Sequence, residues 1–373
     1  MDPIRILKRA WHILWSYRAL WIFGVVLALT TAGGFSGTNG GSSSYNNNNN
    51  NFNNPQNGIN FKPSDLPQVL QQVFQSLVQA SGIEARVWIF IAIVLLVIIL
   101  LASIISAFAH YISLTAVIRM VNGYEETGEK AGFRLGFRYG WSRTSWRLFL
   151  INLLISLPSI ILVFFMLLLG IGIYLAIASG TLLLAVPASI GLIGLVFLVI
   201  FVLIIYSVLM NLLSQFFWRF SAVEQLGVFA SIRQGFNLVK RNWKQVGLMW
   251  LIMIGIQIAY GIAMIVVFIV TLPVLVITGL VGLVIAAIPT LIIAGLTSLF
   301  VNWIAALIMG AIVGLPIFFL VAFSYLIFIN GLKEVYFSSV WTLTYREVKA
   351  LENLAPTAPA APSVPPEEIP AAG

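Results

Sequence analysis

Few side chains in this sequence could carry out acid–base or metal chemistry. The chain has no cysteine, and its two histidines, His12 and His110, lie in different apolar regions. Without thiols it cannot form disulfides, iron–sulfur clusters or thiolate-bound zinc sites. Glu125, Glu126 and Glu129 form one cluster that could supply paired acid–base groups. Because six cations share that polar segment, we interpret the cluster as a solvated, self-neutralising loop.

Familiar catalytic motifs are also missing from the sequence. It has no GxxxxGK[ST] pattern for nucleoside phosphates and no HExxH pattern for zinc. It has no GxSxG motif supported by a carboxylate and a histidine. We therefore predict no catalytic residue, no metal site and no cofactor, and we expect that the protein is not an enzyme.

The amino-acid composition indicates a membrane protein. Hydrophobic residues make up 60% of the 373 residues and charged residues only 9%, with a mean hydropathy of +1.01. A soluble domain carries roughly 25% charged residues, so a soluble globular enzyme is excluded. Each helical crossing of a membrane takes about 20 apolar residues. We predict an all-α polytopic transmembrane helix bundle with about six spans, eight being the alternative.

The basic residues lie at the ends of the apolar runs. The formal net charge is +8, but the polar segments offer no basic and aromatic face long enough to follow a nucleic acid strand. We therefore expect no nucleic acid partner. Basic residues accumulate in cytoplasmic loops, which predicts cytoplasmic N- and C-termini in the plasma (inner) membrane of a prokaryote. The same cations would attract the anionic head groups of membrane lipids.

Residues 1–33 are predicted to form a surface helix followed by the first span. In residues 3–18 the helical period places five apolar residues on one face: Ile4, Leu7, Trp11, Leu14 and Trp15. Such a helix lies along the membrane surface with its cations toward lipid phosphates. A cleaved signal peptide is the alternative interpretation of the same stretch.

The segment 34–85 is expected to be an extracytoplasmic loop that ends in a short amphipathic helix. Its Asn, Gly and Ser residues cannot bury enough apolar surface to offset the entropy of the chain. The second span is predicted at 86–118. We interpret His110 within it as a hydrogen-bonded packing residue, with a proton relay as the alternative. The Pro/Ala-rich tail, 354–373, is predicted to be disordered.

The remaining spans are assigned to two long stretches that contain no charged residue, 148–218 and 246–332. We predict a transmembrane hairpin in the first stretch, while the second has room for one hairpin or for four short helices. Each stretch follows a basic segment, so residues 119–218 and 219–332 are interpreted as two repeat units. Residues 333–353 are expected to form a cytoplasmic helix.

A short motif recurs at the start of the two repeat units. Arg134-Leu-Gly-Phe in the first unit matches Arg233-Gln-Gly-Phe in the second, and each is followed by a Trp and a cation. The motif predicts an interfacial amphipathic helix ahead of each hairpin, and the N-terminal helix is a degenerate third copy. We predict that these helices contact lipid or a partner through Arg134, Arg138, Arg233, Lys240, Arg241, Lys244, Trp146 and Trp243. The alternative is that they only anchor and orient the hairpins.

Two segments carry a family resemblance. The stretch SIRQGFNLVKRNWKQVGLMWLIMIGI and the ending YFSSVWTLTYREV resemble prokaryotic membrane proteins related to the membrane domain of glycerophosphodiester phosphodiesterases. They also resemble neighbouring six-span families of unknown function. The resemblance covers most of the chain apart from the Asn-rich loop and the tail. In the phosphodiesterases a separate soluble barrel domain carries the catalysis, and this sequence contains no such domain. The resemblance therefore implies a topology and no catalytic residue.

The function expected from these features is structural. We predict an integral membrane scaffold or an accessory subunit of a membrane complex, which interacts with lipid, with a membrane protein partner or with a second copy of itself. The alternative is a permease or channel for an apolar or lipidic substrate, because such a substrate needs no buried charge. Internal repeats and spans interrupted by Gly or Pro are common in transporters and favour this alternative.

Overall fold

A computed structural model of the protein describes residues 1–32, 85–178, 182–299 and 302–354. Every regular element in these ranges is an α-helix, which confirms the predicted all-α class. In chain order the helices are α1 Pro3–Ser16, α2 Ala19–Ala32, α3 Ala85–Thr127, α4 Phe133–Gly140, α5 Arg143–Ala178, α6 Leu182–Val223, α7 Val228–Arg241, α8 Trp243–Val270, α9 Leu272–Thr297, α10 Trp303–Ala322 and α11 Ser324–Leu354. The predicted Asn-rich loop with its short helix, and the tail after Leu354, lie outside the described residues.

Six of the described helices are long and apolar enough to cross a membrane. These candidate spans are Ile91–Thr127, Arg143–Leu175, Gly194–Val223, Trp243–Val270, Leu272–Thr297 and Trp303–Ala322. The shortest has 20 residues, which extend over about 30 Å, the thickness of the hydrocarbon core of a bilayer. The predicted polytopic helix bundle with about six spans is therefore confirmed.

The helix at the predicted first span is not one of these six. Within the described residues α2 has 14 residues, and a bend of 102° separates it from α1. The side chain of Asp2 caps α1 by accepting a hydrogen bond from the N–H of Ile4 at 3.1 Å, and Pro3 occupies the first turn. The two helices therefore form an elbow, in which α1 runs almost at a right angle to α2.

The face that α1 turns toward the bundle differs from the predicted apolar face. The buried residues of α1 are Ile6, Ala10, Ile13 and Leu14. Of the predicted face, Ile4, Trp11 and Trp15 are exposed. The small Ala10 permits a close approach to the bundle, whereas the two indoles pack on each other outside it, with 5.8 Å between ring centroids. Leu14 of the predicted face thus belongs to the buried side, whereas Ile4, Trp11 and Trp15 form an outward apolar surface.

One hydrophobic core unites most of the bundle. Helices α2, α3, α6 and α11 contribute fully buried residues to it, such as Leu20, Val117, Phe216 and Val335. Helix α2 packs between α11 and α3, and α1 lies along α11. Among the described residues, none of this core comes from α9 or α10, which pack chiefly on each other.

The last uncharged stretch, 246–332, contains three apolar helices instead of the one hairpin or four short helices that we expected. Helix α9 starts directly after α8, with Pro273 in its first turn, where the missing N–H of proline is tolerated. In the hairpin of α9 and α10, Gly310 and Gly314 face Thr290 with no room for a Cβ atom. Close contacts of this kind hold helices together in a membrane, where the hydrophobic effect between them is absent.

Three helices extend beyond the boundaries that we expected. Helix α3 extends to Thr127 and ends before Gly128, whose φ of +74° is typical of the glycine that follows a helix. Helix α6 extends to Val223, and α11 begins at Ser324 and passes through the boundary expected at 333. No proline lies near these expected boundaries, and Gly331, two residues before 333, is accommodated within α11. The charged residues that we placed outside the spans therefore belong to the long helices.

Candidate functional site

The last turns of α11 join the ends of α3 and α6. Arg346 of α11 donates to the side-chain oxygen of Asn122 at 2.7 Å and lies 3.4 Å from Glu126. Lys349 pairs with Glu224 at 2.5 Å. We term this region the polar end of the bundle, defined by Asn122, Glu126, Glu224, Tyr345, Arg346 and Lys349. It ties together three helices that are far apart in sequence.

The hydroxyl of Tyr345 belongs to the same network and donates a hydrogen bond to Glu224. Burial raises the pKa of Tyr345 above its usual value of 10.0, and the hydrogen bond to the Glu224 carboxylate raises it further. Tyr345 therefore acts as a neutral donor to a carboxylate that also holds Lys349.

Three more ion pairs connect the outer helices to this region. Arg9 of α1 pairs with Glu125 at 2.8 Å, Arg241 of α7 pairs with Glu352 at 2.5 Å, and the terminal amine lies 3.9 Å from Glu347. Glu125 and Glu126 of the acidic cluster therefore pair with cations from distant parts of the sequence. The expectation that Glu125 and Glu126 are neutralised by the cations of their own segment is wrong, because the fold brings Arg9 and Arg346 against them.

The glycine of the repeated motif has a packing role in both copies. A Cβ atom on Gly136 of α4 would come closer than 3.0 Å to Met120 and Phe23, and one on Gly235 of α7 would lie 2.5 Å from the Phe217 ring. In each copy the short helix lies with its glycine against the long helix that precedes it. The motif therefore permits close docking of a short helix, and its arginine falls on the outer side.

The eight residues predicted to contact lipid or a partner are all exposed. They are Arg134, Arg138, Trp146, Arg233, Lys240, Arg241, Trp243 and Lys244. Trp146 retains 51% and Trp243 65% of its accessible surface. Of the six cations, Arg241 is engaged with Glu352.

Arg219 is the residue that the sequence interpretation misplaced. It lies at the end of an apolar run, where we expected basic residues to face the cytoplasm, but α6 carries it into the bundle, where 1% of its surface is accessible. Its guanidinium donates to the backbone oxygen of Gln215 at 2.5 Å, to the Gln215 side chain at 3.0 Å and to the backbone oxygen of Ser338 at 3.0 Å. The surrounding aromatic run from Phe216 to Phe220 was the signal for burial.

A polar cavity of about 100 Å³ lies beside Arg219. Residues of α2, α3, α6, α8 and α11 line it, and its polar side chains include His110, Asn211, Gln215, Trp218, Arg219, Gln257, Glu334 and Ser338. Three buried polar atoms of this lining have no hydrogen-bond partner among the described residues: Arg219 Nε, Trp218 Nε1 and Ser338 Oγ. Glu334 lies 3.2 Å from Lys333. The cavity is thus a polar site inside an otherwise apolar bundle.

His110 is buried at the edge of this cavity. Its Nδ1 lies 3.1 Å from the hydroxyl of Thr30 in α2, and its ring meets Tyr111 edge to face. This contact agrees with the interpretation of His110 as a hydrogen-bonded packing residue. Glu334 of α11 lines the same cavity as His110.

An apolar groove of about 1220 Å³ runs between α3 and the start of α5. Leu96, Ile99 and Phe108 line its length, and Trp141 and Arg143 lie at one end. The groove combines a long apolar wall with a cation and an indole at its end, which are the groups that favour a lipid tail and a lipid head group.

Comparison with known proteins places most of the chain in one family. The family described as a family of unknown function (DUF7544) matches residues 7–343. Neither the curated proteins nor the solved structures contain a match to this chain. The comparisons show no link to the glycerophosphodiester phosphodiesterases that the sequence resembled. The chain is thus a multi-pass helical membrane protein, and it belongs to the DUF7544 family of unknown function.

Proposed function

We propose that this protein is an integral membrane scaffold or accessory subunit, without catalysis of its own, that binds anionic lipid head groups at its short helices. The observation that supports this most directly is that most of the exposed cations have no carboxylate partner among the described residues. Among the described residues, Arg241 has a carboxylate partner, whereas the ion pairs include none of Arg134, Arg138, Arg233, Lys240 and Lys244. Their charge is free to act on a ligand outside the chain.

The cations of this surface are carried on a rigid frame. Gly136 and Gly235 seat the two short helices against long helices, and the ion pairs of the polar end hold those long helices together. A cation near an anionic membrane surface contributes about 1 kcal/mol to binding. The exposed Trp146 and Trp243 suit the depth of the lipid head groups. Placement in the plasma membrane of a prokaryote, with both termini cytoplasmic, is part of the same proposal.

Lipid binding is tested with two variants, each of which carries two substitutions to glutamine. Lys240→Gln with Lys244→Gln removes two unpaired cations, whereas Arg241→Gln with Glu352→Gln removes one ion pair and leaves the net charge unchanged. The first pair of substitutions is expected to weaken binding of phosphatidylglycerol by about 2 kcal/mol, roughly 30-fold. The second is expected to leave it close to that of the native chain. Native mass spectrometry in an uncharged detergent gives both affinities, and equal losses in the two variants would contradict the proposal.

The role as an accessory subunit requires a separate experiment. The native chain is extracted in a polymer that retains surrounding lipid, and the purified material is analysed by mass spectrometry. We expect one protein in stoichiometric amount with the native chain and with Arg241→Gln/Glu352→Gln, and its loss with Lys240→Glu/Lys244→Glu. A chain that purifies alone in all three cases would overturn this part of the proposal.

A permease for a lipidic substrate is the second candidate, and the apolar groove between α3 and α5 favours it. Ile99 lines this groove and is half exposed, so Ile99→Trp would narrow the groove. Ile269 of α8 is exposed to a similar extent outside the groove, so Ile269→Trp is the matched control. If the protein moves fluorescent lipid between the leaflets of vesicles, the first variant should slow the movement and the second should leave its rate unchanged. Vesicles in which the native protein moves no lipid would remove this candidate.

A further inference from the structure

The buried guanidinium of Arg219 lacks an oppositely charged partner among its hydrogen-bond acceptors. An arginine side chain stays protonated in proteins, so this residue brings a full positive charge into the bundle. The three oxygens that accept its hydrogen bonds, two from Gln215 and one from Ser338, are uncharged. A buried charge is costly unless it is paired. The site therefore favours the entry of a negative charge.

The donors around Arg219 point to the same kind of ligand. Nε of Arg219 and Nε1 of Trp218 are N–H groups that can only donate, and both are buried without a partner among the described residues. The Ser338 hydroxyl is a third unpartnered group that can donate. Trp218 and Arg219 retain 3% and 1% of their accessible surface. All three side chains line the one polar cavity.

The size of the cavity limits the ligand. Its volume is about 100 Å³, and on this measure a water molecule needs roughly 10–15 Å³. It has room for roughly seven to ten waters or for one small inorganic anion, and it is too small for a sugar or a nucleotide. Glu334 also lines the cavity, but its carboxylate lies 3.2 Å from the Lys333 ammonium, which reduces its repulsion of an anion.

We propose that the cavity beside Arg219 binds a small inorganic anion, held by the Arg219 guanidinium, the Trp218 indole N–H and the Ser338 hydroxyl. A neutral ligand could accept the same hydrogen bonds but would leave the arginine charge uncompensated. An anion meets both requirements. Its negative charge offsets the charge of the guanidinium, and it accepts hydrogen bonds from the donors that lack a partner among the described residues. This interior site is separate from the exposed cations proposed to contact lipid.

The test compares anions of different size on the full chain in uncharged detergent micelles. The midpoint of thermal unfolding is measured in chloride, phosphate and gluconate at equal ionic strength. A ligand that binds only the folded state raises this midpoint, so chloride or phosphate should raise it in a saturable manner. Gluconate is too large for the cavity and should not. Equal midpoints in all three salts would overturn the proposal and would mean that the cavity holds water only.

Trp218→Phe keeps an aromatic ring in the core and removes one hydrogen-bond donor, so we expect it to disturb the fold less than a substitution of Arg219. It should raise the half-saturating anion concentration about tenfold, the change expected from losing one hydrogen bond to a charged ligand. Arg219→Gln removes the positive charge and should abolish the response. Trp303→Phe in α10, outside the cavity, is the matched control. A full response in Trp218→Phe would contradict the assignment. If only added phosphatidylglycerol raises the midpoint, and Trp218→Phe removes that effect, a lipid phosphate is the ligand and the free-anion assignment is wrong.

Discussion

Gly24 of α2 and Gly331 of α11 cross with their backbones in contact. A Cβ atom on Gly24 would lie 2.5 Å from the carbonyl oxygen of Gly331, and one on Gly331 would lie 2.8 Å from the backbone nitrogen of Val25. Neither helix can carry a larger residue here without moving apart from the other. This crossing joins the N-terminal elbow to the helix that closes the polar end, so it couples the two ends of the chain.

Gly24→Ala and Gly331→Ala are each expected to destabilise the bundle. The added methyl group meets backbone atoms, which cannot rotate away, so a cost of about 1–3 kcal/mol follows from overpacking. Gly261→Ala in α8 is the control, because its added methyl group would have no packing neighbour within 4 Å and alanine favours a helix over glycine. Unfolding in mixed micelles, followed by circular dichroism, compares the three. Equal midpoints for all three variants would show that α2 and α11 are not in contact here.

Gly136→Ala and Gly235→Ala should each loosen one short helix while the other stays in place. The methyl group would press against Met120 in the first case and against the ring of Phe217 in the second. We expect faster amide hydrogen exchange across α4 for the first variant and across α7 for the second. Gly247→Ala, with open space at its methyl position, should change neither. Faster exchange in both short helices for either variant would contradict the independent docking of each.

Thr30→Val should destabilise the protein through His110. Valine matches threonine in shape but removes the hydroxyl that lies 3.1 Å from Nδ1 of His110, so a buried nitrogen loses its partner. The expected cost is about 1–3 kcal/mol. Thr31→Val is the control, since among the described residues the hydroxyl of Thr31 bonds within its own helix, to Leu27 at 2.6 Å. The free energy of unfolding of both variants measures the difference, and equal losses would show that the contact with His110 contributes nothing.

Composition and periodicity were sufficient to predict the helical class and the approximate number of spans, because apolar runs of this length have few other folds in a membrane. They were insufficient at helix ends. Arg219 follows the first uncharged stretch directly, and nothing in a count of apolar residues shows that α6 continues through it. Only the packing of α6 on α11 shows that the guanidinium meets the Ser338 carbonyl.

The predicted orientation of α1 was only partly correct. Periodicity placed Ile4, Leu7, Trp11, Leu14 and Trp15 on one apolar face. Ile6, Ala10 and Ile13 also have helical spacing, and the structure buries them together with Leu14, because Ala10 lets the helix approach closely. The repeated motif could be recognised in the sequence from its residue spacing. The packing role of its glycine could not, because it depends on contact with a neighbouring helix that a short sequence pattern does not identify.

Tyr345→Phe should flatten the loss of stability at alkaline pH. Burial, followed by the Glu224 hydrogen bond, raises the pKa of Tyr345 above 10.0, the region in which an unfolded tyrosine ionises. Above about pH 10 the unfolded chain therefore releases a proton that the folded chain retains, and stability falls as pH rises. Phenylalanine has no such proton, so one contribution to this fall disappears. At neutral pH the same variant should lose about 1.5–3 kcal/mol, the value of one hydrogen bond to a charged group.

The measurement is the free energy of unfolding between pH 7 and 11 for the native chain, Tyr345→Phe and the control Tyr174→Phe, which lies in α5 away from the polar end. The chain has 11 tyrosines, so only the difference between variants isolates one of them. A shallower alkaline slope confined to Tyr345→Phe would support a protonated Tyr345 held on Glu224. Parallel slopes in all three proteins would mean that Tyr345 ionises equally in the folded and unfolded states, and that its hydroxyl is not held on the Glu224 carboxylate.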